Sequence, residues 1–186
     1  PIDSIKYGLD FCKLNSDQIT DITFNTNPYS NFLQKSNYFL RNYLFSKKSK
    51  EIFFRQKKKF KNNEILISKI GLNKKVKFHF IDHHLSHLAS AFFPSGYKDA
   101  IGLSIDGFGD FCSMSIAKCS SSKIEIIKKI FFPHSLGVFY EAMTQLLGFK
   151  KYGEEYKVMG LSSYGKPIYF KEIIKYFFLN EFNPKL

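Results

Sequence analysis

Three of the chain's five histidines fall within five positions, in the run Asp82-His83-His84-Leu85-Ser86-His87. Neutral imidazoles bind transition metals, and two of them four residues apart on a helix project from one face, about 5 to 6 Å between Cβ atoms. If a helix opens at His83, His83 and His87 form such a pair, and His84 points about 100° away as a hydrogen-bonding or packing residue. A His84/His87 pair three apart remains an alternative. So does a metal-free helix start whose histidines cap or touch neighbours.

Asp106-Gly107-Phe108-Gly109-Asp110 is the second chemical signal. It reads as a carboxylate at the end of an apolar strand, followed by two glycines that let a ligand approach the backbone, with amides facing an anion. Its plain alternative is a β-turn, since Asp-Gly is common hairpin punctuation. Two imidazoles and one carboxylate would leave coordination positions open for substrate, as a catalytic metal requires.

Two further blocks follow: Phe132-Pro133-His134-Ser135-Leu136-Gly137, and Glu155-Tyr156-Lys157-Val158-Met159-Gly160-Leu161 with Tyr164-Gly165. Neither is a P-loop or a GxGxxG turn. His134 and Ser135 read as a helix cap rather than a nucleophile pair, because no Asp partner is evident. Glu155 and Lys157 read as a surface pair.

The elements that must position these residues follow from periodicity. Ser4 to Leu14 has helical spacing, Ser16 or Asp17 could cap a turn, Ile19 to Phe24 is a short strand, and Tyr29 to Phe45 an amphipathic helix. A lysine-rich segment follows, itself expected to be helical around Phe53 and Phe60. From Lys77 the texture changes to strands at Phe78–Ile81, Ala100–Asp106, Phe111–Lys118 and Lys123–Phe131, with a hairpin turn at Ser120–Ser122. Helices are expected at His83–Phe93, stopped by Pro94, and at Leu136–Leu147, Tyr156–Leu161 and Ile168–Leu179. Strands alternating with helices predict an α/β fold with a mixed sheet.

Composition narrows the function class. With 186 residues, 44% hydrophobic, 22 Phe and 11 Tyr, the chain has enough apolar bulk for a core, which excludes disorder for most of it. No apolar run reaches the length of a membrane span, and the first ten residues lack a signal-peptide pattern. Three cysteines, Cys12, Cys112 and Cys119, make no CxxC pair, which fits a reducing, cytoplasmic setting. The net charge of +12 suggests nucleic acid at first sight, but between Lys47 and Lys77 there are 12 Lys or Arg against Glu51 and Glu64, and the remainder is almost neutral. Only Arg41 and Arg55 among the 28 basic residues are arginine, the residue that reads bases and phosphates bidentately. A solvated lysine-rich surface or connector is the favoured reading, a phosphate-attracting or membrane-surface patch its alternative, and no nucleic-acid or membrane partner is expected.

The blocks also carry a resemblance. The strings Asp82-HHLSH-Leu88-Ala89-Ser90-AFFPS, Ser104-Ile105-DGFGD, Phe132-PHSLG-Val138-Phe139-Tyr140, Leu147-GF and Glu155-YKVMGL-Ser162-Ser163-YG follow, in order and spacing, the pattern of the O-carbamoyltransferases of the NodU and CmcH type. The chain resembles that family strongly from about Phe78 to Pro167 and more weakly over Pro1 to Tyr29. One departure is local: Glu154 stands where the family has Gly before Glu-Tyr-Lys, and Gly153 is displaced by one.

The resemblance implies an actin/hexokinase-like (ribonuclease H-like) ATPase fold in incomplete form, akin to the universal tRNA threonylcarbamoyl-transfer protein. It divides the chain into a helix-strand-helix start (1–45), the lysine-rich connector (46–77) and a metal- and nucleotide-site core (78–186), with the family's opening hairpin and YrdC-like C-terminal half missing. In such enzymes carbamoyl phosphate and ATP give a carbamoyl-adenylate, whose carbamoyl group passes to an acceptor hydroxyl of a glycan or aminoglycoside-like molecule. By resemblance the metal ligands are His83, His87 and Asp106, the ion iron, with zinc or manganese as alternatives. Gly107, Gly109, Lys157 and Gly160 then bind the adenylate, with Lys157 neutralising its phosphate and His134 as general base. The competing expectation is a non-catalytic remnant that binds nucleotide and metal without turnover.

Overall fold

The computed structural model describes residues 2–43, 68–72, 75–180 and 183–184. Most of the lysine-rich segment, with its expected helix around Phe53 and Phe60, lies outside them. The chain divides into two compact units, Pro1–Asp82 and His83–Leu186.

In the first unit, helix α1 (Ile2–Cys12) ends two residues earlier than its spacing predicts. The cause is local: Lys13 adopts φ 54°, and the Leu14 amide turns back to the Leu9 carbonyl, a left-handed closure that ends a helix. In the short turn at Ser16–Gln18 the expected Ser16 or Asp17 cap is not used. The Gln18 side chain accepts from the Asn15 amide, while the Ser16 hydroxyl donates to the Gly71 carbonyl. Strand β1 (Asp21–Phe24) is followed by α2 (Phe32–Tyr43) and then by β2 (Lys77–Phe80). β1 and β2 pair in parallel, Asp21 opposite Lys77 and Phe24 opposite Phe80, with Phe24 stacked on both Phe78 and Phe80.

The second unit opens with α3 (His83–Phe92), which passes through a 3-10 turn containing Pro94 into an antiparallel meander. Its strands are β3 (Asp99–Gly109), β4 (Cys112–Ser120) and β5 (Lys123–Phe131), in that spatial order. Then come α4 (Leu136–Leu146), α5 (Glu155–Ser162), α6 (Phe170–Phe177) and the short strands β6 (Phe178–Asn180) and β7 (Asn183–Pro184). Among the described residues the fold is thus mixed α/β, with one parallel pairing (β1 with β2) and three antiparallel ones (β3 with β4, β4 with β5, β6 with β7). At its end the expected helix to Leu179 stops at Phe177.

The core of this unit is Leu88 and Phe92 on α3 packed on Ala117 and Cys119 of β4, flanked by Ala100, Ile124 and Ile126. Burying one such Leu or Phe contributes about 1.5–3 kcal/mol. Gly102 makes the close contact possible, since a Cβ there would lie 2.7 Å from Leu88 and 3.0 Å from the Cys119 sulfur. The opposite face of β3 carries Ile101, Leu103 and Ile105, all exposed. Among the described residues no helix is long and apolar enough to cross a membrane.

The two expected turns differ in outcome. The Ser121-Ser122 loop joins β4 to β5 as anticipated. The Asp106-Gly107 dipeptide, however, is not the end of a strand: β3 continues to Gly109, and the two-residue turn falls on Asp110 and Phe111, at φ 51° and 71°. Positive φ at both central residues gives the twist that suits a tight hairpin.

Candidate metal centre and adjoining cavity

Helix α3 and strand β3 bring His83, His87 and Asp106 together. The Nε2 atoms of His83 and His87 are 3.0 Å apart, and Asp106 Oδ2 lies 2.7 Å from the first and 3.6 Å from the second. These separations are those of neighbouring donors around an ion at metal–ligand distances of about 2.0–2.2 Å. Without a cation the arrangement is frustrated, because His83 Nε2 has one hydrogen or one lone pair to share between the carboxylate and the second imidazole. A divalent cation at the common point would satisfy all three donors. The donor set fits that group on a second observation too. A Cβ on Gly109 would lie 1.8 Å from the His83 ring, so the missing side chain there makes the berth in which the ring sits.

The surroundings grade the three donors by exposure: the side chain of His83 is 16% exposed, that of Asp106 39% and that of His87 51%. Burial works to raise the Asp106 carboxyl, but the hydrogen bonds from His83 and the Gly107 amide, with the charges of His83 and His87, outweigh it and hold it below the ordinary carboxylate value. His84 turns the other way, as its 100° offset predicts. It is fully buried between the Ser104 hydroxyl and the Cys112 carbonyl, which closes the alternative His84/His87 pairing.

Ser135 is the helix cap expected. Its hydroxyl accepts from the Val138 amide and donates to the Gly107 carbonyl, so α4 is tied to the strand carrying Asp106. Gly137 presses against the same segment: a Cβ there would stand 2.6 Å from the Gly107 nitrogen and 2.7 Å from Asp106 backbone atoms. The His134 carbonyl accepts from Ser113, and its Nδ1 is buried without a hydrogen-bond partner among the described residues. No described hydrogen bond or ring contact joins His134 to the His83/His87/Asp106 group.

Beside Asp106 opens a cavity of about 580 Å³, lined by Asp106, Gly107, Tyr140, Glu141, Tyr152 and Glu155 among others, and by no basic side chain among the described residues. Tyr140 fixes its far wall by donating to the Glu155 carbonyl. Of the four positions expected to bind adenylate, Gly107 lines this cavity and Gly109 faces His83 instead. Gly160 lies in α5 with open space beside it.

Lys157 pairs with Glu154, not with Glu155 as the sequence suggested. Its Nζ donates to Glu154 Oε1 at 2.5 Å and lies 5.5 Å from the Phe149 ring centroid. Glu154 also accepts from the Lys151 amide, closing the 151–157 turn. The hydrogen bond from Lys157, and then that from Lys151, hold Glu154 below its ordinary 4.5, and the bond to Glu154 raises Lys157 above 10.5. The Glu154 share of this clasp is complete above pH 4.5 and lost as pH falls through the lowered value. The Lys157 share is complete below pH 10.5 and lost as pH rises through the raised one. The Lys151 amide resonance is therefore expected to be flat between those limits and to move only outside them. Glu154→Gln should remove the acid limb; an unchanged acid limb in that variant would show that another group causes it.

Comparison with known proteins gives a consistent picture. The sequence profile described as Carbamoyltransferase N-terminus matches residues 2–181. An uncharacterized protein of Synechocystis sp. is 46% identical over 90 residues, 48% of this chain and 15% of that protein. Nodulation protein NolNO of Sinorhizobium fredii is 38% identical over 99 residues, 53% of this chain and 14% of that protein. Nodulation protein NolO of Bradyrhizobium diazoefficiens is 38% identical over 98 residues, 53% of this chain and 18% of that protein. The matched stretch is thus less than a fifth of the length of each of these relatives.

Proposed function

Because the chain belongs to the carbamoyltransferase N-terminus family, we propose that it is part of an O-carbamoyltransferase that passes a carbamoyl group, from carbamoyl phosphate by way of a carbamoyl-adenylate, to an acceptor hydroxyl. The observation that carries this reading is the convergence of His83, His87 and Asp106 beside an open cavity. A divalent ion held by them, iron first and zinc or manganese next, would supply electrostatic stabilisation for charge developing in acyl transfer. The chain's own residues do the rest. Gly107 lets substrate approach the β3 backbone, and Tyr140 and Glu141 orient a hydroxylated acceptor such as a glycan or aminoglycoside. Lys157 and Gly160 meet the adenylate, and His134 takes the acceptor proton. In this reading the residues form an actin/hexokinase-like ATPase core (78–186), with adenylate formation assigned to a YrdC-like half.

The Glu154–Lys157 pair favours a second reading, a nucleotide- and metal-binding remnant without turnover, since Lys157 must leave Glu154 to reach a phosphate. One experiment separates the two. The purified chain is incubated with ATP, carbamoyl phosphate, Fe(II) and a panel of aminoglycoside and glycan acceptors, with and without a YrdC-like half from a relative. Carbamoylated product is followed by mass spectrometry. Product is expected only when the second half is present, and not with His83→Ala, Asp106→Ala. No product under either condition, with ADP and metal still bound, would overturn catalysis in favour of the remnant. Product from the chain alone would overturn the assignment of adenylate formation to the other half.

A further inference from the structure

The two imidazoles and the carboxylate that converge are carried by different elements, and exposed side chains such as His87 do not set their own separation. What fixes it is the attachment of the first turn of α3 to the β3–β4 hairpin, which is made at two points. The His83 amide, one of the donors a helix start leaves unpaired, donates to Asp110 Oδ2 at 2.9 Å. Asp110 sits in the hairpin turn, four residues beyond Asp106, and its charge also lies at the positive end of the helix. One residue on, the His84 ring enters the sheet. Its Nε2 meets the Cys112 carbonyl at 2.9 Å and its Nδ1 the Ser104 hydroxyl at 2.8 Å, with the side chain fully buried. A carbonyl only accepts, so Nε2 carries a hydrogen and the ring orientation is fixed. Ser104 is two residues before Asp106 on the same strand, and Cys112 pairs with Gly109, whose bare Cα holds the His83 ring.

We infer that Asp110 and the His84–Ser104 pair are positioning residues for the metal-holding set, clamping the first turn of α3 so that His83 and His87 face Asp106. The inference rests on reading His83, His87 and Asp106 as that set. Partners one step removed from a metal's ligands usually change affinity about 10- to 100-fold when lost.

The informative variants are chosen for the turn as well as the bond. Asp110 has φ 51°, so Asp110→Gly removes the carboxylate without straining the backbone, and Asp110→Asn keeps an acceptor at a conformation Asn tolerates. Ser104→Ala removes the hydroxyl that meets His84. Two readouts are used, one of them free of metal. In the metal-free chain, Asp110→Gly should speed hydrogen exchange at the His83 amide at least tenfold, with Asp110→Asn close to the parent. Ser104→Ala should move the ring nitrogen resonances of His84.

Titration with Co(II), followed by its visible spectrum, should then give about 10- to 100-fold weaker binding for Asp110→Gly and Ser104→Ala at unchanged stoichiometry, with Asp110→Asn close to the parent. Parent-like exchange and parent-like Co(II) affinity in Asp110→Gly and Ser104→Ala would overturn the inference. A parent that takes up no Co(II) while Asp110→Gly still loses amide protection would instead overturn the metal reading and leave the clamp of α3 standing. A parent that takes up no Co(II), with exchange unchanged in Asp110→Gly, removes both.

Discussion

Replacing His83 and His87 together by Ala is expected to reduce bound divalent metal to the level of a metal-free control. The parent should retain about one ion per chain after chelation and reloading. Elemental analysis measures the difference directly. The size of the effect follows from the donor set: with both imidazoles gone, one carboxylate with a 39% exposed side chain remains, which does not compete with water for a transition metal. The fold should survive the change. His87 is half exposed, and His84, which anchors the same helix in the sheet, is untouched. Circular dichroism checks that point. Equal metal content in parent and variant would show that the ion, if any, sits elsewhere.

Gly137→Ala should destabilise the protein and weaken metal binding in the same variant. The added Cβ would meet the Gly107 nitrogen at 2.6 Å and the Asp106 carbonyl group at 2.7 Å. Those are backbone atoms and cannot swing aside as a flexible side chain would. Overpacking of this kind costs about 1–3 kcal/mol, whereas the helix-propensity gain of Ala over Gly returns about 1 kcal/mol at most. The clash therefore wins, and relief comes by moving α4 away from the strand, taking the Ser135–Gly107 hydrogen bond and the Asp106 backbone with it. Gly160→Ala is the matched control. It lies in α5 with nothing within 4 Å of the new methyl, so stability should hold or rise by about 0.5–1 kcal/mol. Denaturant midpoints of the two variants give the comparison, and a Gly137→Ala chain as stable as Gly160→Ala would show that the helix yields at little cost.

What the sequence shows of this site is what is local in the chain. His83 and His87 are legible because four-residue spacing on a helix puts two side chains on one face whatever they pack against. The caps at Ser135 and the strands β3 to β5 are legible because Ser before an apolar run, and alternation between short polar breaks, act over a few residues. The misplaced hairpin shows the limit. Asp106-Gly107 has the composition of a turn, but pairing with β4 carried the strand three residues further and put the bend on Asp110 and Phe111. A Phe at φ 71° is not a choice that turn propensities favour. Its ring packs against Phe132, a contact from another strand end that no short window contains.

The glycines teach the same lesson. Gly107 and Gly109 read as room for a ligand, yet the space at Gly109 is taken by His83, 26 positions away, and the tightest contact with backbone belongs to Gly137. Glu154 was visible as a departure from the family pattern, but its partner was not, because Glu155 and Glu154 both lie near Lys157 and only the path of the 151–157 turn separates them. The parallel pairing of β1 with β2 joins segments 56 positions apart, beyond any periodicity argument.

That pairing and the hairpins also differ in when they can form. Strands β3, β4 and β5 are joined by two-residue loops, and such hairpins close in about 1–10 μs, while the register of β1 with β2 waits on closure of a loop some fifty residues long. Asp106 and His83 are only 23 positions apart. The three candidate ligands and the Asp110, Ser104 and Cys112 contacts to α3 therefore lie in one short stretch of chain and emerge from the ribosome together, with the Ser135 tie to Gly107 following later. A divalent ion bound as proposed would therefore meet its three ligands before the β1–β2 register closes. Uptake at the proposed site would then be an early step on the folding route, and such an ion would serve assembly as well as chemistry.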